Sequence, residues 1–161
     1  MSEEHPSSIK SWALAAGTVL VILVAALPVW ASLGGDASSV QTDQLRMQGT
    51  RQTTTTQSYT VYEIRAATGT VVREYASSTG TVFAIAWHGP WPPDMRQLLG
   101  SYFEQYAQAA KAQNGARMGR RPLMIEQAGL VVESGGHPRA FSGRAYVLDM
   151  LPRGVRAEDI Q

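Results

Sequence analysis

Tyr59-Thr-Val-Tyr-Glu-Ile-Arg65, Thr70-Val-Val-Arg-Glu-Tyr75 and Thr81-Val-Phe-Ala-Ile-Ala-Trp87 decide the fold. Each run is rich in β-branched and aromatic residues and is bounded by turn formers. Thr68-Gly69 separates the first two runs and Ser77-Ser78-Thr79-Gly80 the second two. The unit Thr-Gly-Thr-Val starts at Thr68 and again at Thr79, which gives two similar hairpin turns. Three strands on short glycine turns make an antiparallel meander. The second strand alternates polar and apolar residues, which predicts one wet face. The third is apolar on both faces, which predicts a central, covered strand.

Downstream, His88-Gly89-Pro90-Trp91-Pro92-Pro93 ends the meander, because proline has no N–H for a ladder. Asp94 caps a helix that runs to about Ala112. Leu98, Leu99, Tyr102, Phe103, Tyr106 and Ala110 form its apolar face, which packs on the strands. Residues 112–122 read as a glycine- and arginine-containing loop, and Pro122–Glu126 allows a further strand. Leu130–Ser134, a turn at Gly135-Gly136, and Arg139–Leu148 read as a C-terminal hairpin, followed by a polar tail. Upstream, Asp36 is an N-cap for a short helix over Ala37–Gln48, with Val40, Leu45 and Met47 as its apolar positions and Gly49 as its stop. Gly49–Ser58 is a linker or a ragged edge strand. The fold class is α+β: a three-stranded antiparallel β-meander, one amphipathic helix packed on it, a C-terminal β-hairpin and a short N-terminal helix. No Gly-x-Gly-x-x-Gly turn in a βαβ setting points to a dinucleotide fold.

The N-terminus is an address. Trp12–Leu27 is uncharged, Lys10 precedes it, and Val29 and Ala31 supply small residues for cleavage after Ala31. Residues 1–31 therefore read as a signal peptide. The alternative is an uncleaved anchor over residues 12–33, close to the ~20 residues that span a bilayer. Either way the remainder is exported, to the periplasm or beyond, or held at the inner membrane. The chain then divides into 32–58 (opening helix and polar linker), 59–152 (one α+β domain) and 153–161 (polar tail).

Composition narrows the chemistry. The chain has 161 residues, 44% hydrophobic and 17% charged, with net charge +1 and no cysteine. Without cysteine there is no disulfide framework, thiolate nucleophile, lipid-modified cysteine or Cys-ligated metal. A near-neutral balance excludes a dedicated nucleic-acid binder.

Three blocks carry a family resemblance. They are Ala31-Ser-Leu-Gly-Gly-Asp36; Gly69–Tyr75 and Gly80–Trp87 with Pro93-Asp94-Met-Arg-Gln-Leu-Leu-Gly-Ser-Tyr-Phe103; and Leu130–Phe141 with Gly143-Arg-Ala-Tyr146. They resemble a family of small exported proteobacterial proteins, domain of unknown function 2844. The resemblance implies export and a compact domain. It implies no activity, so no catalytic residue is carried over.

Four patches bear chemistry. His88 and His137 each follow a strand, and with Glu133 or Asp94 they are weak candidates for a metal site, although no His-Glu-x-x-His spacing supports one. His137, Glu133 and Ser134 are weak catalytic candidates for a small hydrolase; Ser142 also flanks His137, but no Gly-x-Ser-x-Gly elbow is present. Gly135 and Gly136 offer consecutive N–H groups to an anion, or simply a tight turn. Trp87-His-Gly-Pro-Trp-Pro-Pro93 is a rigid aromatic loop. Both indoles could close the core between sheet and helix; Trp87 is expected to do so, while Trp91, beyond Pro90, is the better exposed ligand-binding candidate, with His88 beside it. Arg117, Arg120 and Arg121 form a basic loop, more often solvated than bound to phosphate or membrane.

No pattern implies a cofactor. The leading expectation is a non-enzymatic binding or assembly module of the cell envelope, whose partner is an envelope protein, a peptide or a glycan. The alternatives are a periplasmic hydrolase or metal enzyme using His137 and Glu133, and a membrane-tethered structural accessory.

Overall fold

In the computed structural model, which describes residues 33–114 and 122–161, the meander has four strands. They are β1 (Thr50–Thr55), β2 (Tyr59–Arg65), β3 (Val71–Ser77) and β4 (Val82–Gly89). Three more follow: β5 (Leu123–Gln127), β6 (Leu130–His137) and β7 (Ala140–Val147). All seven join one antiparallel sheet in the order β1-β2-β3-β4-β7-β6-β5. The expected three-stranded meander and separate hairpin are thus corrected to a single seven-stranded sheet. β7 pairs with β4 from Ala84↔Tyr146 to Gly89↔Phe141, so the C-terminal strands extend the meander sideways.

Local sequence explains much of this. Gly69 and Gly80 have φ of +87° and +86°, the left-handed residue that closes each short hairpin loop. β4 is central and buried from Val82 to Trp87, as its apolar sequence predicts. A bulge opposite Tyr75/Ala76 shifts its register, so Phe83 and Ala84 pack on the same side of the sheet. Gly49–Ser58, open between linker and edge strand, contains exposed edge strand β1.

Helices cover one face. A 3-10 turn at Ala37–Ser39 leads into α1 (Val40–Arg46), and the Asp36 carboxylate accepts from Ser38 N at 2.8 Å. Val40 is buried, but Leu45 is 69% exposed and is not a core position. The expected single helix after Asp94 is two. α2 (Met95–Leu99) and α3 (Phe103–Asn114) are separated by a 3-10 turn at Gly100, where φ is +50°. Asp94 does cap α2, accepting from Arg96 N and Gln97 N. Leu98 and Leu99 are fully buried against Ile85, Trp87, Val132 and Ala145, and Phe103 and Tyr106 pack beside them.

The opposite face is closed by the chain after Leu151. Ile160 is 1% exposed among Tyr75, Phe83 and Tyr146, so this stretch is more than a polar tail. Tyr75 Oη donates to Gln161 O at 2.7 Å and accepts from Gln161 N, and Arg144 Nη1 donates to Ala157 O at 2.6 Å. With cover on both faces, β3 has no wet face: Val71, Val72, Glu74, Tyr75 and Ala76 are all buried. That corrects the expectation from its alternating sequence.

The turn expected at Gly135-Gly136 lies further on. Both glycines are inside β6, paired with Ser142 and Phe141, and the chain reverses at Pro138-Arg139, where Arg139 has φ +70°. Gly136 is needed for φ +121° and because a Cβ would collide with the Ala140 carbonyl. Residues 1–32, which hold the signal segment with Ala31 and all of the anchor reading except Leu33, and Arg117, Arg120 and Arg121, lie outside the described residues, whereas Leu33 is buried in the fold. Among the described residues no helix is long and apolar enough to cross a membrane.

Candidate functional site

Most of the residues singled out in the sequence meet in one open groove of about 500 Å3, at the end of the sheet where β4 stops. His88, Glu133, Ser134, Gly135 and Gly136 line it, together with Trp87, Ser142, Arg144 and Gln161. Gly143 forms its floor. A Cβ there would overlap the Trp87 ring and the Glu133 carbonyl, so glycine lets the indole lie against β7.

The groove does not assemble an acid–base relay. Glu133 is held by Arg144, with Arg144 Nε 3.0 Å and Nη2 2.9 Å from Glu133 Oε2. His88 is on β4 and Glu133 on β6, with β7 between them, so their backbones are about 10 Å apart across the sheet. The same strand separates His88 from His137. His137 sits at the exposed β6–β7 tip, with its Nδ1 3.3 Å from Pro138 O, and does not line the groove. Among the described residues no base is shown hydrogen-bonded to Ser134. Among the described residues no three His, Asp or Glu side chains come together to hold a metal ion.

Trp91 stands elsewhere, on a cleft of about 270 Å3 between α1, the β2–β3 turn and the start of α2. It is 62% exposed, whereas Trp87 is 4% exposed. Its backbone is fixed: Thr70 Oγ1 donates to Trp91 O at 2.7 Å, and prolines flank it on both sides. Arg46, Gln48, Thr68, Asp94 and Gln97 give the cleft a polar rim, and Val72 and Met47 lie deeper. The fixed backbone presents the indole at the cleft, and tryptophan has only two χ angles to order when a ligand stacks on it.

Two buried carboxyls support this cleft. Glu74 on β3 is 0% exposed and Asp43 on α1 is 1% exposed, both on the helix-covered face. Gln97 Nε2 donates to Asp43 Oδ1 at 2.6 Å. Asp43 Oδ2 and both Glu74 carboxyl oxygens have no other partner. Protonation of Glu74, which its burial beside Asp43 favours, would give it a hydrogen to offer the neighbouring carboxylate. Burial, reinforced by the charge of Asp43, pushes the Glu74 carboxyl well above the usual range. Burial also raises Asp43 to about 6, against the lowering effects of Gln97, Glu74 and Arg46.

A protein-family model described as "Protein of unknown function (DUF2844)" matches residues 29–160. The chain belongs to this family. No curated protein and no solved structure matches it. The DUF2844 match spans the groove, the Trp91 cleft and the carboxyl pair, and brings no residue roles with it. Sequence reading of this DUF2844 chain missed Asp43, Glu74 and Gln97. One signal was present: Glu74 lies in Val71-Val-Arg-Glu-Tyr-Ala76, a strand that is otherwise largely apolar. A charge there marks either a wet face or a buried polar contact, and only the covering helix distinguishes them.

Proposed function

We propose that this chain is an exported, non-enzymatic binding module of the cell envelope, with the Trp91 cleft as its ligand-contact surface. The uncharged Trp12–Leu27 segment and the small residues at Val29 and Ala31 support export. The exposed, backbone-fixed indole of Trp91 over a polar-rimmed cleft carries the binding reading. Large rigid aromatics are the side chains most often found dominating binding energy. The separation of His88 from Glu133, and the Arg144 clamp on Glu133, weigh against hydrolysis in the other groove.

Two measurements test this. Intact mass of the protein recovered from the envelope should correspond to a chain beginning at Ser32; a mass retaining Met1–Ala31 would favour the anchored form. Binding to arrays of short peptides and glycans should be lost in Trp91→Ala, while His137→Ala, at the β6–β7 tip and outside the cleft lining, leaves it unchanged. Equal binding by the Trp91→Ala variant would remove the cleft from consideration.

A further inference from the structure

We infer that the Trp91 cleft reads a single neutral sugar ring, and that Gln97 is the residue that selects it by accepting a hydrogen bond from a ring hydroxyl. This rests on the binding reading above and specifies its ligand. Three observations carry it.

The first is size. About 270 Å3 lies below the ~300–1,000 Å3 of pockets that enclose drug-sized ligands. It accommodates one ring with its substituents rather than several residues of an extended peptide. The second is the pairing of one flat apolar surface with a polar rim. Trp91 offers a π-face, while Thr68, Gln48, Arg46 and Asp94 surround it, the last two with opposite charges. A pyranose has that same division, with C–H groups on its faces and hydroxyls around its edge.

The third is the fixed orientation of Gln97. An amide side chain ordinarily presents either end. Here one hydrogen of its Nε2 is committed to Asp43 Oδ1 at 2.6 Å, which fixes the amide with Nε2 toward α1. Gln97 lines the cleft, and with one Nε2 hydrogen committed to Asp43 its Oε1 is the acceptor left to take a ligand O–H or N–H. Asp43 is a positioning residue. It acts through Gln97, whose Nε2 donates to its Oδ1, and its second oxygen is buried with no hydrogen-bond partner among the described residues. Trp91 stacks, Gln97 accepts and Asp43 fixes which end of the amide faces outward.

The test uses the full exported chain and named probes: chitotriose, cellotriose and maltotriose as sugars, with a proline decapeptide as the competing class. Nuclear magnetic resonance titration follows the Trp91 indole N–H. At least one trisaccharide should shift that signal saturably, and the decapeptide should not. Gln97→Met keeps the side-chain length but removes the acceptor, and should weaken sugar binding roughly five- to tenfold, the value of about one hydrogen bond. Asp43→Leu should weaken it similarly while the chain stays folded. Asp43→Asn, which retains a carbonyl acceptor for Gln97, should restore most of the affinity.

If Trp91→Ala abolishes sugar binding but Gln97→Met does not change it, the cleft stands and the selection by Gln97 falls. If the decapeptide shifts the indole and no sugar does, the ligand class is overturned while the binding reading survives. If no probe perturbs Trp91, the sugar assignment falls; the array measurement with Trp91→Ala then decides the cleft separately.

Discussion

At the scale of single residues, Glu74 couples the fold to pH. Burying an unpaired carboxylate is costly, so burial favours the protonated form of Glu74 beside Asp43. Both carboxyls are raised in the folded state, so that state binds protons more tightly than the unfolded one. Their contribution to stability is therefore complete below the unfolded values, near pH 4, and is lost as pH rises through about 6 and beyond. Asp36 is lowered by its bonds to Ser38 and acts in the opposite sense, but it is exposed. Glu74→Gln isolates the pair, because its amide still donates to Asp43 and cannot ionise. We expect urea denaturation of the wild type to show stability falling from pH 5 to mildly alkaline pH. The variant should show a flatter profile and a gain of about 1–3 kcal/mol at the alkaline end. An unchanged slope would mean that the pair does not carry the proton.

At the scale of elements, the interruption between α2 and α3 decides where the aromatic face points. Gly100 takes φ +50°, ψ −118°, a region closed to side chains bearing Cβ. The turn lets Leu98 and Leu99 bury fully while Phe103 and Tyr106 restart a helix along the same cluster. Gly100→Ala should cost about 1–3 kcal/mol in thermal or chemical denaturation. A neutral result would show that the two helices can fuse. The sheet's two edges also differ. Gln113 Nε2 donates to Met124 O at 2.7 Å and Gln105 Nε2 to Gln127 O, so α3 satisfies carbonyls of β5. β1 is an exposed threonine-rich edge, whose polar side chains are its protection.

At the scale of the whole molecule, the first and last described stretches, at Leu33 and at Ile160, converge on the central strand from opposite sides. Leu33 N donates to Leu98 O and Gly34 N to Val82 O, which ties the N-terminal stretch to α2 and β4. Ile160 and Gln161 close the other face over Tyr75 and Phe83. Ile160→Ala should destabilise the chain by about 2–4 kcal/mol, and hydrogen exchange should rise first in β3 and β4 beneath it. If exchange rises only at the last residues, the strap is an ornament on a sheet stable without it.

Much of this was legible locally. The strands β2, β3 and β4, the Gly69 and Gly80 turns, the Asp36 and Asp94 caps and the contrast between Trp87 and Trp91 follow from propensity and turn chemistry over a few residues. The misplaced Gly135-Gly136 turn shows the limit. A glycine pair signals an unusual backbone or a close approach, and near-neighbour sequence does not say which.

The sequence by itself determined the α+β class, the antiparallel meander and the position of an aromatic loop after its last strand, because periodicity, caps and turns are local properties. Only the tertiary structure decided that β7 pairs with β4, that the last residues cover the second face, and that Glu74 meets Asp43 beneath Gln97. These depend on contacts between residues far apart in the chain. Strand partners are chosen by which faces can be buried together, and a carboxyl becomes a proton-holding group only when another element removes its water.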